Sequence, residues 1–163
     1  MSIISLHPIG TIHSPYRSIE DMPIQPIGDG TTQGTVVLEA AYADGLEDIE
    51  GFSHLILIYQ FHRVRGFDLK VKPFLDDRAH GLFATRAPRR PNPIGLSAVP
   101  LLSREGNKLF VGNIDVLDGT PLLDIKPFVP DFDSPMVTSV GWLAGKMRQA
   151  KQMRSDGRFA ASD

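Results

Sequence analysis

The sequence predicts a mainly β protein: a small β-barrel-like single domain followed by a C-terminal helix. Three observations carry that expectation. Fifteen glycines and 13 prolines punctuate 163 residues, and turns this frequent suit short strands better than a helix bundle. Strand-like runs recur between these turns, with one amphipathic stretch near the end, which points to a barrel or a strongly curved mixed sheet. Neither G-x-G-x-x-G nor G-x-x-x-x-G-K-[ST] occurs, and strand–helix alternation is missing, so a Rossmann domain or a P-loop is not expected.

Taken in order, Ile9 to Ser14 reads as a first strand and Ser14-Pro15-Tyr16 ends it. Ser18 to Thr32 is a long loop, and a loop of that length in a small domain points to function. Thr35 to Ala40 is a second strand. Ala41 to Gly51 places Leu46 and Ile49 three apart among acidic residues, as in a short surface helix or turn with one apolar side. His54 to His62 (HLILIYQFH) is the strongest strand, apolar enough to be covered on both faces. Leu69 to Phe74 and Gly81 to Arg86 are further strands. Leu96 to Leu102 and Lys108 to Val116 flank the hairpin chemistry of Arg104-Glu105-Gly106-Asn107. Asp118-Gly119-Thr120-Pro121 is a tight turn before a strand at Leu122 to Phe128. Val129 to Pro135 is loop, and Val140 to Arg154 sets Trp142, Leu143, Met147 and Ala150 against basic residues, as an amphipathic helix would.

Composition narrows the function classes. Hydrophobic residues at 42% supply a core. A formal charge of −2 lacks the global signature of a nucleic-acid binder, so such binding would need local patches. The absence of cysteine excludes disulfides, thiolate chemistry and Cys-based zinc sites. No apolar run reaches the ~18 residues of a membrane span. The opening MSIISLHPIGTIHSP has no basic leader or signal-peptide core, so a cytoplasmic protein is expected.

The least ordinary stretch is GLFATRAPRRPNPIGL, Gly81 to Leu96. It crowds Arg86, Arg89 and Arg90 against Pro88, Pro91 and Pro93, with Asn92 between two prolines. Proline fixes φ and restricts the residue before it, so this loop is stiff. Charges on a stiff loop lose little entropy when a ligand arrives, and three guanidiniums suit a carboxylate or a phosphate. The five histidines form neither H-x-x-x-H nor H-E-x-x-H, so no metal site is expected. His62, at a strand end before Arg63, suits ligand contact better than His54. The Asp118 to Pro121 turn is either a plain turn or one that offers backbone groups and a carboxylate to a small polar ligand. Asp124 and Lys126, two apart on a strand, project to one side and either pair with each other or meet substrate.

Four segments together resemble the tRNA methyltransferase O family: IGTIHSPY (Ile9 to Tyr16), HLILIYQFHR (His54 to Arg63), GLFATRAPRRPNPIGLS (Gly81 to Ser97) and DVLDGTPLLDIKPFVP (Asp115 to Pro130). The resemblance covers roughly residues 7 to 135. It rests on ATR, RPNPIG, DGTP and DIKP occurring in that order. It implies a β-barrel-like homodimer that binds S-adenosylmethionine without a Rossmann sheet. The reaction it implies is methylation of N6 of threonylcarbamoyl-adenosine beside the tRNA anticodon. Cofactor contacts carried over by motif are Gln25, Pro26, His62, Arg63, Arg86, Leu96, Asp118, Gly119, Thr120 and Pro121. In this reading Arg86 could pair with the cofactor's carboxylate, and Asn92 would orient the acceptor amine or the cofactor. Arg89, Arg90 and Lys126 would contact RNA phosphates, with Asp124 as the base.

Two departures from the family pattern stand out. The early loop reads Pro23-Ile24-Gln25-Pro26 where the family has Pro-Arg-Gln-Pro. The additional C-terminal domain of many bacterial members is also not expected here. Both favour an alternative, S-adenosylmethionine-dependent methylation of a small molecule; a third reading is a non-catalytic S-adenosylmethionine-binding module. For tRNA, a dimer would merge two arginine loops with the late basic residues Lys146, Arg148, Lys151 and Arg154.

Overall fold

Six antiparallel strands close into a barrel in a computed structural model that describes residues 2–23 and 32–146. Gln25, Pro26, Arg148, Lys151 and Arg154 lie outside the described residues. The barrel strands are β1 (Gly10–His13), β2 (Gln33–Leu38), β3 (His54–Gln60), β6 (Ile94–Glu105), β7 (Lys108–Gly112) and β8 (Thr120–Pro127). Around the barrel the order is β1-β2-β7-β6-β3-β8, with β8 returning to β1 through Gly10↔Leu122 and Ile12↔Thr120. A separate two-stranded sheet, β4 (Lys70–Val71) and β5 (His80–Gly81), carries the arginine loop. No helix among the described residues is long and apolar enough to cross a membrane.

Alternation along the strands builds the interior. Ile12, Val36, Leu55, Leu57, Val99, Leu109, Val111 and Leu122 are all fully buried. Removing each such side chain from water contributes about 1.5–3 kcal/mol before entropy is counted. A second, smaller core of Val71, Leu82 and Ala87, with Phe74 against it, anchors the arginine loop.

Several sequence expectations are corrected. His54 to His62 was expected to be covered on both faces, but β3 alternates: Leu55, Leu57 and Tyr59 face inward, whereas Ile56 and Ile58 are only half-buried on the outside. The strand predicted over Gly81 to Arg86 stops at Gly81. Residues Leu82–Ala84 form a 3-10 turn because the Thr85 amide and hydroxyl both bond the Leu82 carbonyl. Only Lys70 and Val71 of the run Leu69 to Phe74 pair as a strand. The strand expected to reach Val116 ends at Gly112, where Asn113 takes a left-handed φ of 50°. The stretch from Ala41 to Gly51, expected as a short helix or turn with one apolar side inward, holds two 3-10 turns at Ala40–Leu46 and Ile49–Gly51 with Leu46 buried, as expected. The stretch read as loop after Val129 holds a single α-helical turn, Pro130–Asp133, capped where Asp133 accepts the Val129 N–H at 2.8 Å. Residues Val140 to Lys146 do not start a long helix. They form a 3-10 turn at Gly141–Leu143 bracketed by Gly141 (φ 58°) and Gly145 (φ 76°), conformations that interrupt an α-helix.

Candidate functional site

Antiparallel closure decides which residues meet. Strand ends alternate around the barrel, so one mouth collects the ends of β1, β3 and β7 and the starts of β2, β6 and β8. His62 and Arg63 follow β3, Asn92 precedes β6, Leu96 lies near the start of β6, and Asp118 to Pro121 open β8. Arg86 reaches this mouth through its Nη2, which donates to the Leu96 carbonyl at 3.4 Å. Most of the described site residues expected from the sequence, separated by up to 59 positions, therefore share one rim.

A buried polar chain lies beneath Arg86. The Tyr59 hydroxyl is 2.9 Å from Ser97 Oγ, which donates to Asp115 Oδ1 at 2.7 Å. Burial pushes the Asp115 carboxyl up to about 6, against the opposing pull of the Ser97 hydrogen bond, its own backbone and the Arg86 charge. Burial, aided by the Asp115 charge, also raises the Tyr59 phenol, which stays protonated. Tyr59 pairs with Gly95 in the sheet, and the missing side chain there leaves room for the phenol ring. Phe61 meets Tyr59 edge-on, with centroids 5.5 Å apart.

The rise in the Asp115 pKa has a sign. A carboxyl whose folded pKa exceeds its unfolded value contributes stability below about pH 4, and this is lost as pH rises through about 6. Asp115→Asn is therefore expected to be more stable than the wild type at pH 8, by about 1–3 kcal/mol, and to lose that advantage at pH 4. Urea melts at the two pH values check this. An unchanged difference between them would place Asp115 in a more solvated setting.

Across the mouth, Asp118 is already engaged. Its Oδ1 accepts the Ser14 N–H at 3.1 Å and lies 3.3 Å from His13 Nδ1, while its Oδ2 pairs with Arg17. Burial alone would raise its pKa, but the Ser14 amide, His13 and Arg17 together lower it, so it is a carboxylate at neutral pH. The turn holds because Gly119 takes φ 77° and Thr120 Oγ1 donates to the Leu117 carbonyl at 2.6 Å. Burial, then the Arg63 charge, lowers the His62 pKa against a bond to Gln60, so His62 is a neutral ring at pH 7.

The arginine loop divides its guanidiniums. Arg90 turns back into the loop, its Nη1 donating to the Thr85 carbonyl at 3.1 Å and the Ala87 carbonyl at 3.2 Å, with Phe83 beneath it at 5.6 Å. Arg89 runs close to Gly66, and its Nε is buried without a hydrogen-bond partner. Asn92 is exposed, and its carbonyl accepts the Ile94 N–H at 2.8 Å. Asp124 and Lys126 do project to one side, and they pair with each other at 2.8 Å. They stand opposite Ile58 and Ile56, on the outside of the barrel, with Lys126 toward the far mouth. The structure thus separates these two residues from the rest of the expected site.

The tRNA-methyltransferase O N-terminal domain model matches residues 11–134. The chain belongs to the tRNA methyltransferase O family. A probable S-adenosyl-L-methionine-binding protein of Pyrococcus abyssi is 50% identical over 157 residues, covering 96% of this chain and 85% of that protein. The tRNA (adenine(37)-N6)-methyltransferase of Escherichia coli is 40% identical over 144 residues, covering 82% of this chain and 61% of the enzyme. A crystal structure of TrmO superposes with a TM-score of 0.74 at 39% identity, covering 86% of this chain and 64% of that one. The chain therefore spans about three fifths of the length of the Escherichia coli enzyme and of the TrmO chain in that crystal structure. The barrel expected from the resemblance is the fold observed.

Sequence reasoning missed His13, Arg17, Tyr59, Ser97 and Asp115 as members of the site. Ser97 and Asp115 fall inside the matching segments, but nothing in their spacing marks them as joined. Arg17 is 101 positions from Asp118, a distance that only barrel closure bridges.

Proposed function

We propose that this protein is an S-adenosylmethionine-dependent N-methyltransferase that acts on N6 of threonylcarbamoyl-adenosine beside the tRNA anticodon, as a cytoplasmic homodimer. The cofactor is S-adenosylmethionine, and the residues at the mouth suit it. Arg86 is a permanent cation for a carboxylate, neutral His62 and the amides of the Gly119 turn suit uncharged ring and hydroxyl groups, and exposed Leu96 offers an apolar wall. When bound, the cofactor supplies an electrophilic methyl group. The chain's part is positioning, with the acceptor nitrogen held in line with that methyl. Asn92, exposed on a proline-stiffened corner, is assigned to orienting the acceptor. Asp115 replaces Asp124 as the proposed proton acceptor, since Asp124 is held by Lys126 on the outer wall. The single observation that carries this reading is the convergence of His62, Arg63, Arg86, Leu96 and the Asp118 turn on one mouth.

One observation favours a small-molecule acceptor instead: Arg90, expected on phosphate, is held by its own loop carbonyls. Nucleoside mass spectrometry of tRNA from a strain lacking the protein separates the readings. Loss of the methylated nucleoside supports tRNA, and its retention without a redundant enzyme rejects it. If about four phosphates are contacted, tRNA affinity is expected to fall about 10²-fold between about 50 and 200 mM salt. Affinity that is flat in salt would remove RNA as the partner.

A further inference from the structure

We infer that Trp142 is a positioning residue for the cofactor site, a clasp that fixes the backbone from which Arg86 projects. The inference rests on the cofactor reading above. Trp142 lies beyond residues 11–134, the span of the family match, so nothing in that match assigns it a role.

The clasp is built from five contacts. The indole Nε1–H donates to the Ala84 carbonyl at 2.7 Å, across 58 positions of chain. The indole ring stacks on His80, with centroids 4.5 Å apart and planes 19° apart. His80 Nε2 is 3.0 Å from Asp76 Oδ2, and Lys146 Nζ reaches the same oxygen at 2.6 Å. Lys146 also lies 5.8 Å from the centre of the indole ring. The 141–146 turn is thus pinned to β5 and the loop before it by stacking and an ion pair, and a cation–π contact between Lys146 and Trp142 braces the turn itself.

The consequence concerns Arg86. Its neighbours' carbonyls are all tied: Ala84 to Trp142, and Thr85 and Ala87 to Arg90. Without Trp142 the N-terminal side of this bracket opens, and the chain at Arg86 gains freedom that binding must then remove. A guanidinium that has to be ordered on binding captures a carboxylate less well than one already in place.

The test uses the full chain and calorimetric titration with S-adenosylmethionine. Trp142→Phe keeps a stacking ring and loses only the N–H, so affinity is expected to fall about fivefold, the worth of one net hydrogen bond. Arg86→Lys weakens binding while leaving it measurable. In that background Trp142→Phe is expected to cost less than twofold, because the fork it positions is gone. Equal losses in both backgrounds, or no loss in either, would overturn the proposal. No calorimetric binding by the wild-type chain would instead reject the cofactor reading and take this inference with it.

Discussion

Arg86→Ala is expected to abolish measurable S-adenosylmethionine binding while leaving the barrel folded. The side chain is exposed and lies outside the barrel core; one of its contacts is the Leu96 carbonyl at 3.4 Å, and its removal leaves the buried apolar interior intact. In the cofactor reading proposed above, its partner at the mouth is the cofactor's carboxylate. Truncating one side of a carboxylate–guanidinium pair held out of water costs about 2–5 kcal/mol, or roughly 30-fold to several thousand-fold in affinity. Arg86 also lowers the pKa of Asp115. Its loss should therefore move that titration further above 6, observable by NMR of the carboxyl carbon. Normal calorimetric binding by Arg86→Ala would remove the residue from the site.

Gly95→Ala is expected to be the most damaging single methyl added to the barrel near its candidate site. A Cβ at this position would overlap Tyr59 Cε2 and lie 2.6 Å from Tyr59 Cζ and 2.9 Å from Phe61 Cζ. Overpacking of this kind costs about 1–3 kcal/mol. Displacing the ring also pulls the Tyr59 hydroxyl from Ser97, about 1 kcal/mol more. The melting temperature should fall by about 5–15 °C for a domain of this size. Gly45→Ala is the control, since nothing lies within 4 Å of its added Cβ. Tyr59→Leu combined with Gly95→Ala should recover part of the loss by making room. A Gly95→Ala protein that melts with the wild type would show that the ring moves aside at no cost.

The legible parts of the chain share a cause. The runs at 54–62 and 96–102 carry enough apolar and β-branched side chains that a strand is the natural local outcome, and the Arg104 to Asn107 turn closes as predicted on Gly106 at φ 59°. Gly81 to Arg86 misled because Leu82, Phe83 and Thr85 suit a pleat, yet the Thr85 hydroxyl bonds backward to Leu82 and curls the chain. The apolar outer side of β3 misled in another way. A continuous apolar run reports that a face is water-averse, and says nothing of what covers it.

The amino-acid sequence by itself determined the family, the β-rich class and the motifs that carry the family likeness, because those depend on residue types in order along the chain. Only the tertiary structure decided which of the charged residues act together. It placed Arg86 over Asp115, tied Asp118 to Arg17 and His13, turned Arg90 inward and sent Asp124 with Lys126 to the outer wall. The physical reason is closure. Joining β8 to β1 brings strand ends that are a hundred residues apart to one rim, and charges interact through space at a strength set by that distance and by burial.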